Sequence, residues 1–170
     1  MASDDVEVDG FDFENRNPDS MVGIVVDGII GAVGGATGTA AMTVVLLVAS
    51  TLGGFQLESF GVLAEMTGLA VLAPGNETAV GYIIFLLGGM ITWPLLFASI
   101  GQYLPGKNYA TAGAVFGAIL WTGFVLAFYV DYTGAALVIY VVSTFLAHVV
   151  YGFGLGSVLD YLGGREAPIV

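Results

Sequence analysis

The chain has 170 residues, 57% of them apolar and only 10% charged, with 14 acids against 3 bases and a formal net charge of −11. A soluble domain carries nearer a quarter charged residues, so an ordinary soluble protein is excluded. Three bases are too few for a nucleic-acid binder or a polybasic headgroup sensor, and the absence of cysteine excludes disulfides and thiolate chemistry. The acidic excess suits a high-salt cytoplasm, where screening weakens self-repulsion, and so points to an extreme halophile as source.

Residues 1–20 hold seven acids and one base, Arg16. They carry too little apolar surface to offset ordering entropy, which predicts a disordered, cytoplasmic tail. The acidic start and the long apolar run after it do not fit a cleaved leader. Four apolar stretches follow, at about 22–52, 79–100, 110–130 and 135–159, within a membrane domain covering 21–164. Each exceeds or approaches the roughly 20 helical residues needed to cross a hydrocarbon core of about 30 Å.

In the first stretch Gly31, Gly35, Thr39 and Thr43 recur every fourth residue and share one helix face. Small residues there let a neighbouring backbone approach closely, so this face is read as a helix-packing surface. A phosphate loop would need water and a following helix N-terminus, which a buried span does not supply. The connection that follows sets Phe55, Phe60, Leu63 and Met66 against Glu58 and Glu65, predicting a short interfacial helix at about 55–72. Pro74 and Gly75 end it, and Asn76 opens a glycosylation sequon completed by Thr78.

Within the second stretch Pro94 follows Trp93. Proline lacks the amide that would bond the carbonyl of Met90, so a kink is expected, either lining a cavity or merely bending the helix. Pro105 and Gly106 make the next turn, and Asp131 to Gly134 the last. On the fourth stretch Tyr140, Thr144, His148 and Tyr151 form a polar stripe at helical spacing. An ionisable group at membrane depth is a functional candidate, although neutral imidazole is also readily buried as a hydrogen-bonded packing residue. His148 is the only histidine, so a metal site built from several such ligands is not expected. Asp27 and Asp160 fall near span ends and read as hydrated boundary residues.

An internal repeat is visible. Ser99, Tyr103, Leu104, Gly106 and Lys107 recur 58 residues on as Ser157, Tyr161, Leu162, Gly164 and Arg165; Gly31, Gly35 and Ala36 recur 82 residues on as Gly113, Gly117 and Ala118. The offsets differ by 24 residues, about the length of the interfacial connection. The expected fold is therefore all-α: a polytopic membrane protein with four transmembrane helices arranged as two tandem hairpins, plus the short outer helix. With both termini cytoplasmic, Arg16, Lys107 and Arg165 all lie inside, as the positive-inside pattern requires. Residues 165–170 are then a cytoplasmic tail.

Several segments together, Gly35 to Thr43, Trp93 to Phe97, Tyr103 to Gly106 and Ala147 to Gly156, resemble a family of small, uncharacterised membrane proteins abundant in haloarchaea. Its members are sometimes labelled cytochrome c oxidase subunit I-like. That catalytic subunit uses several histidines and many more spans, so the resemblance implies at most a non-catalytic partner of a respiratory complex.

The leading expectation is thus a non-enzymatic accessory or assembly subunit without cofactor, surrounded by membrane lipid and packing against other integral membrane subunits or copies of itself. A small oligomeric transporter or channel lined by the His148 stripe is the alternative. A haem shared between the His148 residues of two protomers is the third.

Overall fold

Inside a bilayer every backbone amide and carbonyl must find its partner within the protein, which leaves a helix as the solution for an isolated apolar segment. The computed structural model, which describes residues 21–163, follows this rule: helices dominate and no strand occurs among the described residues. The acidic tail, Arg16, the C-terminal tail and Arg165 lie outside the described residues. Four helices are long and apolar enough to cross a membrane: Gly23–Thr51, Glu77–Tyr103, Tyr109–Ala127 and Gly134–Leu162.

In chain order, α1 (Met21–Thr51) is followed by a 3₁₀ turn (Leu57–Phe60), α2 (Gly61–Met66) and a second 3₁₀ turn (Leu69–Leu72). The second span comprises α3 (Glu77–Leu87), a π-helical turn (Gly88–Thr92), α4 (Trp93–Ile100) and a 3₁₀ end (Gly101–Tyr103). The third span is α5 (Tyr109–Ala127) and the fourth α6 (Gly134–Leu162).

Span ends differ from the sequence-based expectation by a few residues, the second reaching Tyr103 rather than 100, and two of the differences have a visible cause. The third span stops at Ala127 rather than near 130, because the chain turns there through left-handed conformations at Asp131 (φ 38°) and Gly134 (φ 57°). The fourth continues to Leu162, and Asp160 in its last turn explains why. Its carboxylate reaches across to α5, accepting from the amides of Tyr109 (2.9 Å) and Ala110 (2.8 Å). Those amides are donors that a helix N-terminus leaves unpaired, and the negative charge also suits that end of the helix. Asn108 and Thr111 complete the same terminus as a capping box.

The spans pack through bare backbone. α6 lies centrally, against α5 on one side and α1 on the other. A Cβ on Gly117 would run into the carbonyl oxygen of His148, and one on Gly113 into that of Gly152. On the other side Gly38 faces the backbone of Tyr151, and Gly154 lies against the Cα of Gly38. The connection between the first two spans does more than lie on a surface. Phe55 and Phe60 are buried and insert between the spans, Phe60 against Phe85 (4.9 Å between ring centroids), Tyr82 (5.2 Å) and Phe128 (6.0 Å). Met66, expected on the apolar face, is instead 71% exposed.

Candidate functional site

The second and third spans touch at their two ends but separate in between. At one end Phe60 bridges Phe85 and Phe128; at the other Phe97 packs on Phe116 (5.2 Å) and Tyr109 (6.2 Å). The gap is a cavity of about 390 Å³ whose lining includes Thr39, Met42, Gly88, Gly89, Thr92, Trp93, Gly123, Phe124, His148 and Tyr151. Met66, Thr92, Trp93, Gly123 and Ala127 are at once cavity-lining and exposed, so the cavity is a cleft open at the lateral surface of the bundle.

Its wall on the second span is the π-helical turn. The amide of Trp93 bonds the carbonyl of Gly88, five residues back, rather than that of Gly89. Pro94 sits at the start of α4, where its missing amide is tolerated. The group released by this arrangement is the Gly89 carbonyl, which accepts the Tyr151 hydroxyl at 2.8 Å. The sequence had pointed to the carbonyl of Met90; the wider turn shifts the vacancy by one residue. A π-turn of this kind often marks a functional position in a helix.

The four residues of the polar stripe separate into two pairs. Tyr140 is fully buried and donates to the carbonyl of Val125 (2.9 Å), while Thr144 donates to the carbonyl of Tyr140 (2.6 Å) and accepts from Trp121 Nε1 (3.0 Å). Both serve the α5–α6 contact, and neither lines the cleft. His148 and Tyr151 do line it.

His148 is only 5% exposed. Its Nδ1 lies 2.8 Å from the carbonyl oxygen of Thr144, and because a carbonyl only accepts, Nδ1 carries the proton. In the neutral ring Nε2 is then an acceptor, and it has no hydrogen-bond partner among the described residues. Phe124 holds the ring edge-on, with centroids 4.5 Å apart.

Two further open groups line the same cleft. Thr37, Thr39, Thr43, Ser99 and Ser157 each return their hydroxyl to a carbonyl four residues back, as hydroxyls do in apolar surroundings. Thr92 makes no such bond, and Trp93 Nε1 is likewise without a partner among the described residues, whereas Trp121 Nε1 is bonded. Sequence reading passed over Thr92, Gly88 and Gly123, and named Trp93 only as the neighbour of Pro94. The available signal was Trp93 and Pro94, read as a kink that either lines a cavity or merely bends the helix.

Gly31, Gly35, Thr39 and Thr43 all face the second span. Gly31 lies against Pro94 (3.5 Å from an added Cβ), Gly35 against Gly89 and Met90, and Thr39 against Gly89; Thr43 is 3.2 Å from the Tyr82 hydroxyl. Pro94 itself borders a separate groove of about 470 Å³ between the first and second spans, shared with Asp27, Gly28 and Gly31. Among the described residues no three His, Cys, Asp or Glu side chains converge as a metal site would require.

A family model described as a family of unknown function, DUF6789, matches residues 25–170. The chain belongs to that family. The match spans all but the start of the first helix, so it includes the whole DUF6789 cleft, the π-turn and His148. No curated protein and no solved structure matches the chain.

Proposed function

We propose that this DUF6789 protein is a non-catalytic membrane protein that holds a small lipid-soluble molecule in the cleft between its second and third spans. One observation carries the reading: His148, a residue only 5% exposed, lines a largely apolar cavity and its Nε2 has no hydrogen-bond partner among the described residues. An unsatisfied polar atom in low dielectric is costly, and a bound hydroxyl or amide would remove that cost. Apolar lining with a few convergent polar groups is the usual make-up of a ligand pocket. Transport along the whole stripe fits less well, because Tyr140 and Thr144 are engaged within the α5–α6 contact.

An accessory or assembly role beside other membrane subunits, or of a respiratory complex, concerns the surroundings of the molecule, and one experiment addresses both. The protein is purified in mild detergent from its native membrane, and co-eluting proteins and extractable small molecules are identified by mass spectrometry. Gly123→Phe serves as the control, since Gly123 lines the cleft and a Cβ there meets nothing within 4 Å. The expected result is a small molecule retained by the parent and lost from Gly123→Phe at an unchanged melting temperature. Identical extracts from both proteins would overturn the cleft reading.

For the setting, the positive-inside pattern supports cytoplasmic termini, and the net charge of −11 supports a halophilic archaeal source. Cysteine at exposed Glu65 should then label with an impermeant thiol reagent in intact cells, and cysteine at exposed Lys107 should not.

A further inference from the structure

Resting on the binding cleft proposed above, we infer the chemical class of its occupant: a hydroxylated aromatic ring, of the phenol or hydroquinone type, carrying an apolar tail. Three features of the cleft narrow the choice to this class.

The first is the set of open polar groups. His148 Nε2 accepts, Trp93 Nε1 donates, and the Thr92 hydroxyl can do either. A ligand hydroxyl answers His148 with its proton and offers its oxygen to a donor. A ketone or ether has no proton for Nε2. The second is charge. Apart from the imidazole of His148, no lining residue is basic or acidic, so a carboxylate or phosphate head would find no Lys or Arg counter-ion. That excludes fatty acids and phospholipid headgroups as head-end ligands.

The third is shape. Gly88 carries no side chain on one wall, and Gly123 none on the other. The opening left between these two glycines, on facing walls, suits a flat group. Phe85, Phe124, Phe128 and Trp93 surround it, and Phe124 and Phe128 are stacked at 4.0 Å with 10° between planes. Aromatic pairs contribute beyond their buried area, so a ring is favoured over a saturated alcohol. Because the cleft opens at the lateral surface, the tail leaves between α3 and α5 into surrounding hydrocarbon.

The test uses the full-length protein in lipid nanodiscs with three probes of equal tail length: decylhydroquinone kept reduced, the matching decylbenzoquinone, and decanol. Binding is read from Trp93 fluorescence in a Trp121→Phe background and repeated by calorimetry. Decylhydroquinone should bind the parent about tenfold more tightly than the quinone, the equivalent of one hydrogen bond. His148→Leu should erase that preference while leaving residual binding of both rings, and Gly123→Phe should abolish binding of all three. Trp93→Phe, a change at an exposed ring, should weaken both ring probes by calorimetry even where His148→Leu does not fold.

Equal affinity for all three probes, or a preference for decanol, would overturn the ligand class and leave the cleft standing. No saturable binding of any probe, together with identical native extracts from parent and Gly123→Phe, would overturn the cleft as well. A Soret band in the native protein that His148→Leu loses would replace the class with haem.

Discussion

The two hairpins cross at equivalent positions and yet behave differently. Under the offsets of the internal repeat, Gly31 corresponds to Gly113 and Gly35 to Gly117, while Met90 corresponds to His148 and Pro94 to Gly152. The contacts follow the same correspondence. Gly31 meets Pro94 as Gly113 meets Gly152, and Gly35 meets Met90 as Gly117 meets His148. In the second hairpin glycine faces glycine, and the helices touch backbone to backbone over a long stretch. In the first hairpin Pro94 occupies the place of Gly152, and the second span carries a π-turn immediately before it. The tight hairpin forms a rigid floor and the looser one a wall set away from it. A difference of one small residue at a crossing point thus separates a packing surface from a cleft.

The comparison can be broken most severely at the tight crossing. Gly152→Leu would drive a side chain into the Gly113 carbonyl, with no room on either side. We expect a loss beyond the roughly 1–3 kcal/mol of ordinary overpacking, seen as failure to recover a monodisperse protein. Gly31→Leu, at the looser crossing, where an added Cβ lies 3.5 Å from Pro94, should cost less and leave a protein that melts at a lower temperature. Equal effects at both sites would deny the difference between the hairpins.

Next in size is the polar tie at the ends of the second hairpin. Asp160→Ala removes two charge-assisted bonds to the start of α5. A loss of about 2–3 kcal/mol is expected in chemical or thermal unfolding, with Asp160→Asn intermediate because its amide oxygen still accepts one.

Tyr151→Phe tests the strut between hairpins. It leaves the Gly89 carbonyl of the π-turn unpaired at a cost of about 1–3 kcal/mol. Hydrogen exchange should rise locally at residues 88–93 rather than along α6. Uniform exchange would show that the turn does not depend on this bond.

The smallest effect concerns the turn that closes the tight hairpin. The Tyr132 hydroxyl accepts from the amide of Gln56 (2.8 Å), and its ring stacks on Tyr140 at 4.5 Å. Burial raises its pKa above the ordinary phenol value near 10. The neutral form is therefore favoured in the folded state, and the stability it contributes is full below pH 10 and lost as pH rises through the raised value. Tyr132→Phe should lower stability by about 1 kcal/mol and flatten the decline in melting temperature above pH 10.

Apolar run length and helix-periodic small residues, read in one dimension, are sufficient to determined four membrane-length helices, their pairing into hairpins and the face that Gly31, Gly35, Thr39 and Thr43 present, because in hydrocarbon the backbone has few other ways to satisfy itself. The same pattern placed His148 and Tyr151 on one side of one helix. It could not divide the stripe between a packing contact and a cleft, because that depends on which neighbour stands close and which stands away. Nor could it assign Asp160 to the start of another helix 50 residues earlier in the chain, or show that the Thr92 hydroxyl and Trp93 Nε1 lack hydrogen-bond partners among the described residues. Hydrogen-bond satisfaction across helices is a property of their relative placement. Here Pro94, the π-turn and the wedge of Phe55 and Phe60 decide that placement, by holding the second span away from the third between their ends.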